Sequence, residues 1–407
     1  LFNSSFNPYK FREDFHCLSK SEKKKPLYFD NACMTLKPNS VVKAIVDYYQ
    51  DHPSCHNRAV HEFGEITTKK VENSRSLINK YINCRPGESI VFTKNTTESI
   101  NMVANLVNFS EGDIVLTTDM EHNSNMLPWQ FLKIKSKVSF QQVPVNPKSS
   151  GFDFGYYEEV LKTNKVKLVS MFHISNITGM RLPIKEITKM AHKYGALVLV
   201  DAAQSMAHIN VDIQDLDIDF MAFSIHKMYG PTGVGILFGK KELMKSGVPK
   251  YVGGEGIIDT TYDSCTLEES PKKYEVGLQN YAGIIGAGET IKYLSKINLK
   301  KAHQHILSLN EFLTNELTAH KDITILGPQE PKSRNGVVNI VVGNRKPEEI
   351  GLLLSKMKRI MVRSGVHCGH SWYHKYNLKP SLRISLSFYN TKEEVQVLVK
   401  TLKDLLR

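Results

Sequence analysis

An α/β architecture, in which a mostly parallel sheet is covered by helices and followed by a smaller α+β unit, is expected from three features of the chain. Short apolar runs recur between Ser89 and Phe238, uninterrupted in the manner of strands buried on both faces. Helical patterns separate them, and parallel strands need such crossovers. After about Ile291 the texture changes to helices and strands of a different order.

The expected strands are Ser89–Thr93, Asp113–Thr117, Lys167–His173, Ala196–Asp201, Phe220–Ser224 and Gly233–Phe238. Ser40 is the expected N-cap of a helix carrying Val41, Val42, Ile45, Val46 and Tyr49 on one face. Thr97–Leu106 reads as a second helix, with Ile100, Val103, Ala104 and Val107 at helical spacing. Ile184–Tyr194 is a third, stopped by Gly195. One long helical stretch, Lys292–Leu317, then precedes a segment Gly336–Val342 and a helix Glu348–Met357. Strands around Met361 and over Leu382–Phe388 and a final helix from Lys392 complete the smaller unit. The expected division is 25–291 for the large domain and 292–407 for the small one, with residues 1–24 packed on the latter.

The chain has 407 residues, 41% of them hydrophobic and 9% aromatic, enough for a sizeable core and unlike a disordered or fibrous protein. No apolar run approaches the 18–20 residues or so of a spanning helix. The first residues carry no secretory-leader pattern. The six cysteines stand at wide spacings without a CxxC pair, which argues against a zinc ribbon or a dithiol redox motif. A soluble, reduced, cytoplasmic setting is the expectation, and no metal site. The formal charge of +12 comes from dispersed lysines, with one tight run at Lys23–Lys25, so a solvated basic surface is favoured over a nucleic-acid site.

Chemistry concentrates where strands end. The run Val198–Asp201 closes on a carboxylate, and Phe223-Ser224-Ile225-His226-Lys227 closes on an amine. Ligands of open α/β sheets bind at that carboxyl edge. A lysine for a Schiff base and an acid for a pyridinium nitrogen are the protein groups that pyridoxal phosphate needs. Asn95-Thr96-Thr97-Glu98 opens a helix after a strand, a place that supplies N–H and hydroxyl donors to a phosphate. No GxxxxGK[ST] and no strand-linked GxGxxG occurs, which weakens nucleotide readings. Met120-Glu121-His122-Asn123 and His173-Ile174-Ser175-Asn176 bring an imidazole and an amide to the same rim. Arg363-Ser364-Gly365-Val366-His367-Cys368 places a cysteine on a glycine-containing loop, where His367 and Arg363 could lower the thiol's pKa; a small buried core cysteine is the competing reading. Arg383 suits a substrate carboxylate, against a surface salt bridge.

These blocks, with Tyr28-Phe-Asp-Asn-Ala32 and the run Lys227-Met-Tyr-Gly-Pro-Thr-Gly233, resemble a fold-type I, class V pyridoxal-phosphate enzyme over nearly the whole chain. More narrowly they resemble the group II cysteine desulfurases of the SufS/CsdA type, because the cysteine sits on a short loop. The resemblance implies that Lys227 holds the cofactor as a Schiff base and Asp201 pairs with its ring nitrogen. His122 would stack on the ring, Gln204 and Asn176 would contact its phenolic side or the substrate, and Thr97, Ser224 and His226 would hold the phosphate. Arg383, with Arg363 nearby, would bind the substrate, L-cysteine or selenocysteine. Cys368 would take its sulfur as a persulfide, leaving alanine. A homodimer and a sulfur-acceptor protein, in the setting of iron–sulfur cluster assembly, are also implied.

Four places depart from the pattern. Leu278 stands where the family usually has a threonine that reaches the phosphate across the dimer, and Ile225 replaces a small residue before His226. Gly369–Trp372 and Asn57 also differ. Two other readings are carried forward. One is another class V enzyme (aminotransferase, lyase or epimerase) with Cys368 a bystander, and the other a non-catalytic basic scaffold or nucleic-acid-binding protein.

Overall fold

A computed structural model describes residues 6–19, 25–146 and 151–406. Most of the Lys23–Lys25 run, and residues 1–5 and 20–24 of the expected N-terminal segment, lie outside the described residues. The main sheet has seven strands in the order Ile90–Thr93, Gly235–Gly239, Phe220–Ser224, Leu197–Asp201, Val166–Phe172, Ile114–Thr118 and Ser139–Val143. All run parallel except Gly235–Gly239, which is antiparallel to both neighbours. The inner strands Leu197–Asp201, Phe220–Ser224 and Gly235–Gly239 are buried almost throughout, which is why they read as continuous apolar runs. Ser139–Val143 escaped the sequence reading because it is an edge strand, polar and half-exposed over most of its length.

Two helical expectations are corrected and one unexpected helix is added. The first helix is Asn39–Asp51, with Pro38 at the cap position; Ser40 lies inside it and caps nothing. That helix buries Val41 and Tyr48, while Val42, Val46 and Tyr49 form a parallel stripe that stays exposed. Two apolar stripes one residue apart are indistinguishable by periodicity, and packing against the helix Tyr281–Ser295 selects one. The single stretch Lys292–Leu317 is two helices, Tyr281–Ser295 and Leu299–Thr318. Asn298 divides them, its side chain accepting the Lys301 N–H at 3.1 Å. Position 291 therefore falls inside a continuous helix. A third helix, Glu62–Tyr81, carries too few apolar residues to announce itself yet buries Val71 and Ile78.

A second, antiparallel sheet has the order Ile323–Leu326, Val337–Val342, Ser381–Ser385, Arg363–Gly365. The segment after Lys25 ties it to the main sheet. Leu27–Tyr28 pairs in parallel with Ile360–Met361, and Asp30 bridges to Ser385. The chain then turns through Asn31–Cys33 toward the main sheet's edge. Residues 6–19 lie against the C-terminal part: Arg12 donates to the Tyr389 carbonyl at 2.5 Å and to Glu394 at 2.6 Å, and Phe15 packs edge-on against Tyr389. No helix among the described residues is long and apolar enough to cross a membrane.

Candidate active site

The carboxyl ends of the parallel strands and the inner edge of the second sheet enclose one cavity of about 260 Å³. Lys227, Asp201, Gln204, His122, Thr97, Ser224, His226, Asn176, Arg363, Cys368 and Arg383 all line it. The residues from the main sheet meet there because their strands stop at the same rim, and Arg363, Cys368 and Arg383 come from the strands and loop of the second sheet opposite.

Asp201 ends its strand and is buried, with one oxygen accepting the Ala203 N–H at 2.9 Å. Burial raises its pKa, opposed by the Ala203 N–H and by the charge of Lys227. Lys227 sits on the 3-10 turn Ile225–Lys227 immediately after the strand Phe220–Ser224. Burial lowers the pKa of its amine, and the attraction of Asp201 works against that. The turn is clasped from outside. The His226 carbonyl accepts the Thr35 N–H at 3.2 Å and the Lys37 amine at 2.8 Å, an amine whose own pKa burial pushes down to about 7.

The imidazole of His122 accepts the Ser124 N–H on Nδ1 at 3.0 Å, so the neutral ring carries its proton on Nε2. Burial, with the charges of Lys227 and Arg383, pushes its pKa down to about 3. Gln204 donates to the Ala32 carbonyl at 2.7 Å, and Asn176 donates to the His367 carbonyl at 2.7 Å. The helix Thr96–Leu106 points its N-terminus at the cavity, with Asn95 capping Glu98 N–H at 2.9 Å. Ser224 accepts the Thr96 N–H at 2.8 Å, and Thr97 pairs with Ser124 at 2.7 Å. Gly235 permits this turn to lie against the sheet, since a Cβ there would stand 2.5 Å from the Asn95 backbone.

Opposite, Arg383 is buried, donating to the Asn176 carbonyl at 3.0 Å and to Asp30 at 3.3 Å, while its Nε has no partner. Arg363 bonds Asp30 at 3.3 Å and the Cys33 sulfur at 2.7 Å. Cys368 is exposed, at φ 58° beside His367 at φ 50°, and its carbonyl accepts the Asn123 N–H at 2.7 Å. One expectation changes here. Burial pushes the His367 pKa down to about 3, so that ring brings no positive charge to the thiol; Arg363 bonds Asp30 and Cys33, and its charge also acts on Cys368.

This chain matches the description "Aminotransferase class-V" over residues 27–398. It belongs to that family. A cysteine desulfurase of Escherichia coli O6:K15:H31 is 36% identical over 412 residues, 99% of this chain and 99% of that protein. One from Synechococcus elongatus is 36% identical over 409 residues, where the match takes in 98% of this chain but 63% of the cyanobacterial protein. Among solved structures, the apo cysteine desulfurase of Thermococcus onnurineus NA1 superposes with a TM-score of 0.93 at 34% identity, covering 99% of both chains.

The cofactor of this class V fold is pyridoxal 5′-phosphate, and the donor set fits it. A buried carboxylate and a desolvated amine line one cavity, and a helix N-terminus with the hydroxyls of Thr96, Thr97 and Ser224 stands at its end. Sequence reasoning assigned no role to Asp30, Cys33, Thr96, Ser124 or Gly235. Asp30 and Cys33 lay in the quoted Tyr28–Ala32 block or beside it, and only the fold shows that this turn reaches the site.

Proposed function

We propose that this class-V enzyme is a pyridoxal-phosphate-dependent cysteine desulfurase that converts L-cysteine to L-alanine and leaves a persulfide on Cys368. The observation that carries the reading is an exposed cysteine on the same cavity as the Asp201–Lys227 pair and a buried arginine with a free N–H. The bound cofactor supplies an electron sink for the carbanion at the substrate Cα. Arg383 receives the substrate carboxylate, its unpartnered Nε completing a pair of donors. The Lys227 amine, kept toward its neutral form by burial, moves the proton at the substrate Cα. Asp201 would hold a positive charge on the bound cofactor's ring nitrogen, and neutral His122 would stack on the ring. Thr97, Ser224 and His226 would hold the phosphate, and Gln204 and Asn176 would border the substrate side. Cys368 as thiolate attacks the substrate sulfur; the Cβ–S bond breaks, its electron pair stays with carbon, and a proton there completes alanine.

Selenocysteine differs by one atom at the attacked position and is an allowed second substrate. The persulfide sits on an exposed loop, which supports handover to a sulfur-acceptor protein, as in iron–sulfur cluster assembly. Exposed Tyr251, Tyr262 and Leu278, with the Val42/Val46/Tyr49 stripe, support a homodimer. The six cysteines are all free, which supports a reducing cytoplasmic location.

The test is Cys368→Ser on the cofactor-loaded protein. Cofactor absorbance is retained, while alanine formation from cysteine and alkylatable persulfide both fall by at least about 100-fold, the scale of losing a nucleophile. Undiminished alanine formation with transamination of other amino acids would favour a different class V reaction.

A further inference from the structure

A second thiol shares the cavity with Cys368. Cys33 lies at the end of the Asp30–Cys33 turn, half-buried, its N–H bonded to the Asp30 carbonyl at 3.1 Å. Its sulfur accepts from Arg363 Nη2 at 2.7 Å, and Arg363 begins the strand that leads into the Cys368 loop. The same guanidinium is braced by both Asp30 oxygens at 3.3 Å. Cys33 and Cys368 both line one space of about 260 Å³, slightly below the ~300–1,000 Å³ of small-molecule sites, and the charge of Arg363 acts on both. Their surroundings differ in one respect: Cys368 is exposed and Cys33 is sheltered. Arg383 lines the same cavity, and its buried Nε has no partner.

Resting on the desulfurase reading, we propose that Cys33 is a second sulfur-carrying residue, which takes the sulfane sulfur from Cys368 and holds it inside the cavity. The Cys33 thiolate attacks the outer sulfur of the Cys368 persulfide. A new Cys33 S–S bond forms as the Cys368 S–S bond breaks, its electron pair leaving as the Cys368 thiolate. One sulfur moves, the proton it carries moves with it, and no oxidant or reductant is consumed. Arg363 steadies the sulfur on the Cys33 side throughout. Cys368 is then free for a second turnover, so the chain stores two sulfurs when no acceptor is present.

The experiment uses the cofactor-loaded protein, anaerobic, with L-cysteine and neither acceptor nor reducing thiol. The alanine burst is counted, and persulfides are trapped by iodoacetamide and located by peptide mass mapping. Wild type should carry the additional sulfur on both the Cys33 and the Cys368 peptides, with a burst roughly twofold that of Cys33→Ser. In Cys368→Ser the Cys33 peptide should stay free of sulfur, because the first transfer is to Cys368. A wild-type burst equal to that of Cys33→Ser, with sulfur on Cys368 alone, overturns the proposal and leaves the desulfurase reading standing. A Cys33–Cys368 disulfide with released sulfide also overturns it. No alanine from wild type overturns both.

Discussion

Glu121 is buried, its carboxyl bonded to the Thr118 hydroxyl at 2.7 Å, the Asn125 amide at 2.8 Å and the Phe172 N–H at 3.1 Å. Burial raises its pKa to about 8, those donors oppose the shift, and the nearby Asp201 carboxylate adds to it. The folded state therefore binds a proton that the unfolded chain has released between pH 4.5 and about 8. Stability should fall as pH rises through that window. In urea titrations across it, Glu121→Gln should show a flatter dependence than wild type; an equal slope would place the cause elsewhere. The residues proposed to bind substrate behave differently. Arg383→Lys keeps a charge but loses the planar donor fork, so KM for cysteine should rise at least about tenfold with the cofactor absorbance unchanged. Lys227→Ala should abolish the aldehyde-linked absorbance while the protein still folds, since the turn is held by the His226 carbonyl rather than by the amine.

At the level of elements, much depends on how closely the strand Gly235–Gly239 approaches the Asn95 turn. Gly235→Ala forces a methyl against backbone, an overpacking that costs about 1–3 kcal/mol. Because that turn delivers the helix N-terminus to the end of the cavity lined by Thr96, Thr97 and Ser224, cofactor affinity should fall along with the thermal midpoint. Fluorescence titration of the apoprotein measures the first and calorimetry the second. The same stretch shows what a sequence can and cannot disclose. The strands were legible because burial on both faces writes a continuous apolar run, and the polar residues closing those runs marked the rim. Gly235, by contrast, was legible only as one residue of the expected strand Gly233–Phe238, since its role is a contact with a residue 140 positions away. Asn298 was hidden in the same way: an N-cap between two helical patterns reads as one more polar position until the chain is seen to turn there.

Over the whole molecule, the pairing of Lys227 with Asp201 could be read from two strand endings, and Arg363, Cys368 and Arg383 from their own blocks, but Cys33 could not. It lines the cavity because residues 27–30 are pinned to Ile360–Met361 and Ser385, a long-range pairing that no local pattern encodes. The surface carries a comparable message in the residues the fold leaves uncovered. Val42, Val46 and Tyr49 form an exposed stripe on a helix whose other apolar stripe is buried, and Tyr251, Val252, Tyr262 and Leu278 are more than half exposed. A monomer rarely leaves so much apolar surface in water, and burying it between two copies removes the cost. Tyr251 also lines a cavity with Asn95 and Thr97, which border the active-site cavity too, so a partner packed there would close that end. Light scattering should therefore give twice the chain mass of 46.2 kDa. Leu278→Asp should shift the population toward monomer and loosen the cofactor, whereas Leu278→Thr should keep the dimer and tighten cofactor retention by restoring a hydroxyl. A wild-type protein that stays monomeric at micromolar concentration, with its cofactor bound, would show that the cavity is complete within one chain.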